Sequence, residues 1–553
     1  MGARGTLVDV ATHRSNPTFL QASPDGFHAE VHRGQVVEER HLVLRSGVKF
    51  AAESGGVSVH LPIPCLDGVF WRSDGDCLAI STDLRRLVRP DGALDATGIV
   101  SLLTFGTCVP PLTPYQQIRA LSPGMVYEVD QATMEPKTTG TCSWSDPDPA
   151  DSQVPLEEQE RIVSETLDEL LRQSCPSQDP VILFSGGVDS SVLALRAATM
   201  GWRGARLVHC SFGADHVETV AARAIAGALQ LPLDVVEWTP ERGYAALSDA
   251  GRIYPFPFGD HSCVPTYSLA HAVAERCQPG TVAIDGTGAD ADFGMARRSA
   301  GAARAYRLPT AVRAAFGAAY GPLGLYARPG RLERKVRLLR RSAQMGPLAF
   351  LAAQNPLAGI AYEVCREQLT LLSDACDAWM GDILDTRDVT MTYPLLDNAM
   401  TNAYAAAQKN RSPLSRCGVV PTYPFMEAKM VDLALVHARH WHGDGETKGV
   451  LKRMLARCVP RELVYRAKTG FTAPETEQFA HPTMLEHLRT AAEPSAPLAP
   501  FLRNRVLLRI LDAVRSRRQL PVQTYNYLWS VAFASTWLAQ VARSKAPTEL
   551  SLA

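Results

Sequence analysis

The run Ser185-Gly186-Gly187-Val188-Asp189-Ser190-Ser191 constrains this chain more than any other feature. It follows an apolar stretch, PVILFS (180–185), and opens a helical pattern, VLALRAATMG, that ends at Gly201. A strand that turns through two glycines into a helix turns backbone N–H groups and the positive end of the helix dipole toward an anion. Ser185, Ser190 and Ser191 add hydroxyl donors for phosphate oxygens. Asp189 would repel a phosphate unless it held a cation, so it reads as a Mg²⁺ ligand. Helix capping alone is a poor reason for a glycine pair among three serines. The run lacks the GK[ST] ending of a Walker-type loop.

Strand and helix patterns keep alternating after this turn. ARLVHCSF (205–212), LDVVEW (233–238) and TVAIDG (281–286) read as strands, with ETVAARAIAGALQL and AHAVAERC as helices between them. This spacing predicts an α/β fold, a doubly wound parallel sheet with helices on both faces. From 296 to about 550 the pattern is mostly helical. The first 150 residues differ. VSVHLPIP (57–64), GVFWRS (68–73), CLAIST (77–82) and MVYEVD (125–130) are short runs separated by Gly, Asp and Pro turns, which predicts a smaller β-rich domain. SWSDPDPADSQVP (143–155) reads as a linker, and LEEQERIVSETLDELLRQ (156–173) after it as a helix. At 553 residues the chain exceeds one core. Two domains are therefore expected, 1–150 and 151–553.

Two further clusters suit polyphosphate chemistry. Asp285-Gly286-Thr287-Gly288-Ala289-Asp290-Ala291-Asp292-Phe293-Gly294 follows the fourth strand, where an open α/β sheet binds its ligands. Its glycines Gly286 and Gly288 allow close approach, and its carboxylates suit a hard cation. Gly445-Glu446-Thr447-Lys448-Gly449-Val450-Leu451-Lys452 and then Arg466-Ala467-Lys468-Thr469-Gly470-Phe471 supply lysines that suit a departing polyphosphate. Taken singly, each lysine reads more readily as a solvated surface residue.

The first run resembles the SGGxDS loop of the PP-loop ATP pyrophosphatases, which cleave ATP between the α and β phosphates. The order SGGVDSS, GTGADADFG, YPFME, GETKGVLKR, RAKTGF resembles that of the asparagine synthetase family, over roughly 65–540. TDLRRLVRPDGALDATGIVSLLTFGTCVPPLTPYQQIRALSPGMVYEVD resembles the end of that family's glutaminase-like domain. The resemblance implies a PP-loop synthetase domain behind a degenerate Ntn-type domain. It also implies ATP and Mg²⁺ as cofactors, a Mg²⁺ held by Asp189 and Asp290, and adenylation of a carboxylate with release of pyrophosphate. Ser185, Gly186, Gly187, Ser190 and Ser191 would cradle the pyrophosphate. Lys448 would neutralise it, and Lys468 would stabilise the oxyanion of amide formation. Adenine would lie against the second strand, Val208 to Phe212, with Val208 and Ser211 at the nucleotide.

Departures from the family narrow the chemistry. Glutamine-using members carry a cysteine directly after the initiator Met, and here Gly2 follows Met1 with no cysteine before Cys65. An N-terminal cysteine attacks the amide with its own α-amine as base, so glutamine hydrolysis is not expected. The resemblance places Thr287 where asparagine synthetases have an acid and β-lactam synthetases a Tyr, and Gln408 near the Glu that partners the Tyr. Neither can take up a proton at neutral pH. EVRVPFLD of asparagine synthetases is VPTYPFME (420–427) here, which weakens asparagine as product. The expected function is an ATP-dependent, AMP- and pyrophosphate-forming amide synthetase, with macrolactam closure of a lasso-type peptide as the favoured branch. β-Lactam synthetase, ammonia-using asparagine synthetase and a non-catalytic nucleotide-binding remnant stay open.

Composition excludes other classes. Fifty-six Lys+Arg against 57 Asp+Glu leave a net charge of -1, unlike a nucleic-acid binder. Twelve cysteines form no CxxC pair, against zinc ribbons and thioredoxin-type motifs. The N-terminus has no apolar signal-like core, which with scattered cysteines predicts a cytoplasmic location. Pro521 to Ala542 is uncharged but holds seven polar residues besides its two tyrosines, so a buried helix is expected rather than a membrane span. Residues 297–341 carry twelve Arg/Lys against one acid, Glu333. That stretch suits an acidic peptide or a peptide-processing partner protein, and equally a solvated helix face.

Overall fold

The computed structural model describes residues 18–23, 26–33, 40–53, 56–141, 154–294, 304–319, 338–339, 341–354, 358–359, 369–381, 389–441, 446–467 and 474–545. The stretch read as a linker lies mostly outside them.

The N-terminal part forms strands β1 (Thr18–Ser23), β2 (Gly26–His32), β3 (Arg40–Val43), β4 (Lys49–Glu53), β5 (Gly56–His60), β6 (Phe70–Ser73), β7 (Cys77–Ser81), β8 (Arg119–Ala120), β9 (Met125–Asp130) and β10 (Glu135–Thr141). They make two antiparallel sheets, ordered β1-β2-β7-β6-β8 and β10-β9-β5-β4-β3. Alternate residues point inward: Phe27, Ala29 and Val31 of β2 meet Phe50 and Ala52 of β4 and Val57 and Val59 of β5 in one core. The Phe27 and Phe50 rings sit 5.1 Å apart between the sheets. The strands expected at 57–64, 68–73, 77–82 and 125–130 are β5, β6, β7 and β9.

The second part is built on a parallel sheet: β11 (Val181–Leu183), β12 (Arg206–Ser211), β13 (Leu233–Glu237), β14 (Val282–Ile284) and β15 (Val420–Thr422). Its order is β13-β12-β11-β14-β15. β11 pairs in parallel with β12 on one side and β14 on the other, with Val181 opposite both Arg206 and Ala283. All three residues of β11 and of β14 are buried, as strands covered on both faces must be. One face packs Ile182 and Leu207 against Leu171, Val192, Ile225 and Met454. The other packs Leu183, Val208 and Cys210 against Leu269, Val273 and Leu414. The fold is therefore α/β and doubly wound.

The strand order reverses between β11 and β14, so the chain leaves their carboxyl ends in opposite directions and opens a crevice there. The serine-glycine turn follows β11 and the Asp285–Gly294 segment follows β14. Two of the sequence clusters thus flank the crevice that this strand order opens.

The helix Val522–Lys545 buries Trp529, Phe533 and Trp537 completely, and the Trp537 indole donates to the Tyr254 carbonyl at 2.9 Å. Among the described residues no helix is long and apolar enough to cross a membrane.

Candidate active site

The turn after β11 is stiffened by its own serines. Ser185 Oγ accepts from the Gly187 N–H at 3.1 Å and lies 3.2 Å from Ser190 Oγ, which also accepts from the Ser185 N–H at 3.2 Å. Gly186 takes φ +72, and a Cβ there would lie 3.0 Å from the backbone nitrogen of Ala222. Conformation and space both demand glycine. Gly187 caps the helix Val188–Thr199, which carries Asp189 in its first turn and Ser190 and Ser191 behind it. Ser191 is fully buried, and its hydroxyl has no partner among the described residues.

The loop after β14 closes on this turn. A Cβ on Gly286 would lie 3.1 Å from Asp189 Cβ, and Gly288, at φ +106, packs under the backbone of Phe425. Thr287 N–H donates to Asp285 Oδ1 at 2.7 Å. Asp290 heads the short helix Ala289–Gly294.

Lys448 joins the two loops. It precedes the helix Gly449–Ala456 in the left-handed region, φ 61, with its N–H on the Phe293 carbonyl at 2.8 Å. Its ammonium meets both oxygens of Asp189, with Oδ2 at 2.5 Å, and Asp290 Oδ1 at 2.8 Å. Burial by itself would pull this ammonium down, but the Asp189 and Asp290 charges outweigh it and hold the group above the usual lysine value. Two carboxylates from opposite sides of the crevice thus converge on one cation position. An all-oxygen pair of this kind fits Mg²⁺ as well as it fits the ammonium.

The other expected residues fall less uniformly. Ser211 ends β12 with its hydroxyl tied to Gly213 and Thr219. Val208 sits deeper, its side chain 2% exposed in the core and its carbonyl accepting from Phe184 N. Its side chain therefore packs in the core with Leu183 and Cys210. Gln408 is 2% exposed and spends its amide on the carbonyls of Leu66, at 2.6 Å, and Ala403, at 3.1 Å. Lys468 lies outside the described residues. So does most of the basic stretch 297–341. Within its described part, Arg313 donates to the Ser342 carbonyl, and Arg341 to those of Ala353 and Gly359. These two guanidiniums brace the helical part from inside rather than face a partner.

Several residues of the site escaped sequence reasoning. Arg466, two residues before Lys468, donates to the Gly186 carbonyl at 3.1 Å, and its Nη1 is buried without a partner among the described residues. Asn410 Nδ2 donates to Asp285 Oδ2 at 2.8 Å, and the buried Tyr423 hydroxyl donates to Asn410 Oδ1. Lys409 holds Asp260 and Ser262, each at 3.0 Å. The RAKTGF motif could have drawn attention to Arg466. Nothing in the spacing pairs Asn410 with Asp285.

Residues 163–539 match the family model described as asparagine synthase. No curated protein matches the chain.

Proposed function

This chain belongs to the asparagine synthase family, and from that premise we propose that it closes an amide within a peptide, joining an Asp or Glu side-chain carboxyl to the peptide's own N-terminus. The family carries ATP-dependent amide-forming synthetases, which are C–N ligases. The observation behind the reading is the meeting of Lys448 with Asp189 and Asp290 at the strand-order reversal. It sets one cation position, filled by a buried lysine, beside the serine-glycine turn.

In this mechanism a substrate carboxylate oxygen attacks the α-phosphorus of ATP. The bond to the bridging α–β oxygen breaks, leaving an acyl-adenylate and pyrophosphate. The N–H groups and hydroxyls of Ser185 to Ser191 receive the pyrophosphate, and Arg466 reinforces the turn from behind through Gly186. Mg²⁺ held by Asp189 and Asp290 would supply charge neutralisation at the phosphates. The Lys448 ammonium, freed from the carboxylates, turns to the departing oxygens. The amine then attacks the acyl carbon, and AMP leaves.

Two features support an amine carried by the substrate itself. In the β-rich part Cys65 is buried, and burial pushes the Cys77 and Cys108 thiols up, so these three are poor nucleophiles toward glutamine. Gln408 is engaged at Leu66, which removes it from any Tyr–Glu type pair for β-lactam closure. The test is incubation with ATP, magnesium and linear peptides that carry a free N-terminus and an internal Asp or Glu. The expected product is lighter by one water and resists aminopeptidase. Asparagine formed from aspartate and ammonia, with every peptide untouched, would overturn the proposal.

A further inference from the structure

We propose that Asp285 takes the proton released when the amine attacks the acyl-adenylate, and that Asn410 positions it; this rests on the synthetase reading above. An amine nitrogen that forms a C–N bond must shed a proton. Thr287 and Gln408, the positions at which the resemblance leads one to look for an acceptor, hold no group able to take it.

Of the other carboxylates at this end of the sheet, Asp189, Asp290, Asp292 and Asp260 are committed, whereas Glu427, partly buried just past β15, is the rival acceptor. Asp189 and Asp290 bind Lys448. Asp292 is fully buried and held by Asn398 at 2.7 Å. Asp260 is 3% exposed and paired with Lys409. Asp285 differs. Strand β14 before it is buried, whereas Asp285, Gly286 and Thr287 are partly exposed where the strand opens into the crevice. Gly286 packs on Asp189, which puts Asp285 at the rim of the phosphate site.

Its orientation is fixed from both sides. Oδ1 accepts from the Thr287 N–H at 2.7 Å and Oδ2 from Asn410 Nδ2 at 2.8 Å. Each oxygen keeps a second lone pair. The Asn410 amide cannot turn over without loss, because Oδ1 would then face the Asp285 carboxylate in place of a donor. As placed, Oδ1 lies at the buried Tyr423 hydroxyl, which is also 3.0 Å from the Ala407 carbonyl.

The step balances. The nitrogen lone pair forms the C–N bond, and the acyl C–O bond breaks with its electrons leaving on AMP. The N–H proton passes to a free lone pair of Asp285 and from there to water.

The experiment compares wild type, Asp285→Asn, Asn410→Ala and Glu427→Gln. The acid is whichever of aspartate, glutamate or peptides containing them supports ATP–pyrophosphate exchange. Two amines trap the adenylate: hydroxylamine, which attacks in its neutral form with little need of a base, and methylamine, which needs one. Asp285→Asn should keep its melting temperature, exchange and hydroxamate formation, and lose at least about 100-fold in methylamide formation. Asn410→Ala should show the same split more weakly, in kcat and not in the KM for ATP. Methylamide formation by Asp285→Asn at the wild-type rate overturns the proposal. So does equal loss of exchange and amide formation, or the same split shown by Glu427→Gln alone. Absence of exchange in wild type with every acid sinks the synthetase reading, and this inference with it.

Discussion

Lys448 is 4% exposed, a burial that a lysine tolerates only with its charge answered. Asp189 and Asp290 answer it, and without them the ammonium would be stranded. Conversely, replacing the lysine leaves two carboxylates facing one another with no cation. Lys448→Met should therefore lower the rate of pyrophosphate release by at least about 100-fold, measured with a coupled pyrophosphate assay at saturating magnesium. An unchanged rate would remove Lys448 from the phosphate chemistry. At this scale the sequence was informative where the signal was local. Ser185 to Ser191 carries its meaning within one turn, and Asp290 follows a strand end. The Lys448–Asp189 contact spans 259 residues, and only tertiary structure brings its partners together.

The turn and the strands around it form the next level. Gly186 combines a left-handed backbone with a position where an added Cβ would fall 3.0 Å from the Ala222 backbone nitrogen, inside ordinary van der Waals contact. Gly186→Ala should cost about 1–3 kcal/mol through strain at this turn, read as a fall in unfolding free energy together with weaker ATP binding. His209 ties the same turn to β12: Nδ1 lies 2.9 Å from the Phe184 carbonyl and Nε2 3.1 Å from Thr219 Oγ1. Burial pulls the imidazole below its ordinary 6.5, outweighing the Phe184 carbonyl that favours the protonated form. As pH falls, the unfolded chain takes up the proton first. The contribution of this neutral histidine is complete above 6.5 and is lost as pH drops below it toward the folded value. Melting temperatures at about pH 7.5 and about pH 5.5 should differ less in His209→Asn than in wild type. The central strands β11, β12, β13 and β14 were legible as apolar runs bounded by turns. β15 was not, because three residues with a proline, Val420-Pro421-Thr422, carry no period, and only its pairing with β14 makes it a strand. β1 to β4 escaped for a related reason, since Lys49–Glu53 hides two inward positions, Phe50 and Ala52, among small and charged residues.

For the whole molecule, the helix Gln408–Arg416 links the two parts. Gln408 and Arg411 reach back to Leu66 and Asp67 of the β-rich part, while Asn410 between them holds Asp285 at the crevice. One turn of helix therefore reads the position of the N-terminal sheets into the site. The Arg411–Asp67 pair is 2.5 Å long, with side chains 12% and 5% exposed. Arg411→Met should destabilise the protein by about 3 kcal/mol by leaving Asp67 buried and unpaired, seen in chemical denaturation. Asp67→Asn added to it should restore part of the loss. Failure of the second change to help would mean that the pair contributes packing rather than charge. The sequence predicted a β-rich part and a parallel-sheet part, but this joint was invisible, since glutamine and arginine on a polar helix look like any solvated face.

The central claim concerns how ATP is broken. With α-labelled ATP, magnesium and an acid that supports exchange, the account predicts one AMP and one pyrophosphate for each amide formed. ADP and phosphate in their place, or turnover with no acid dependence, would contradict it.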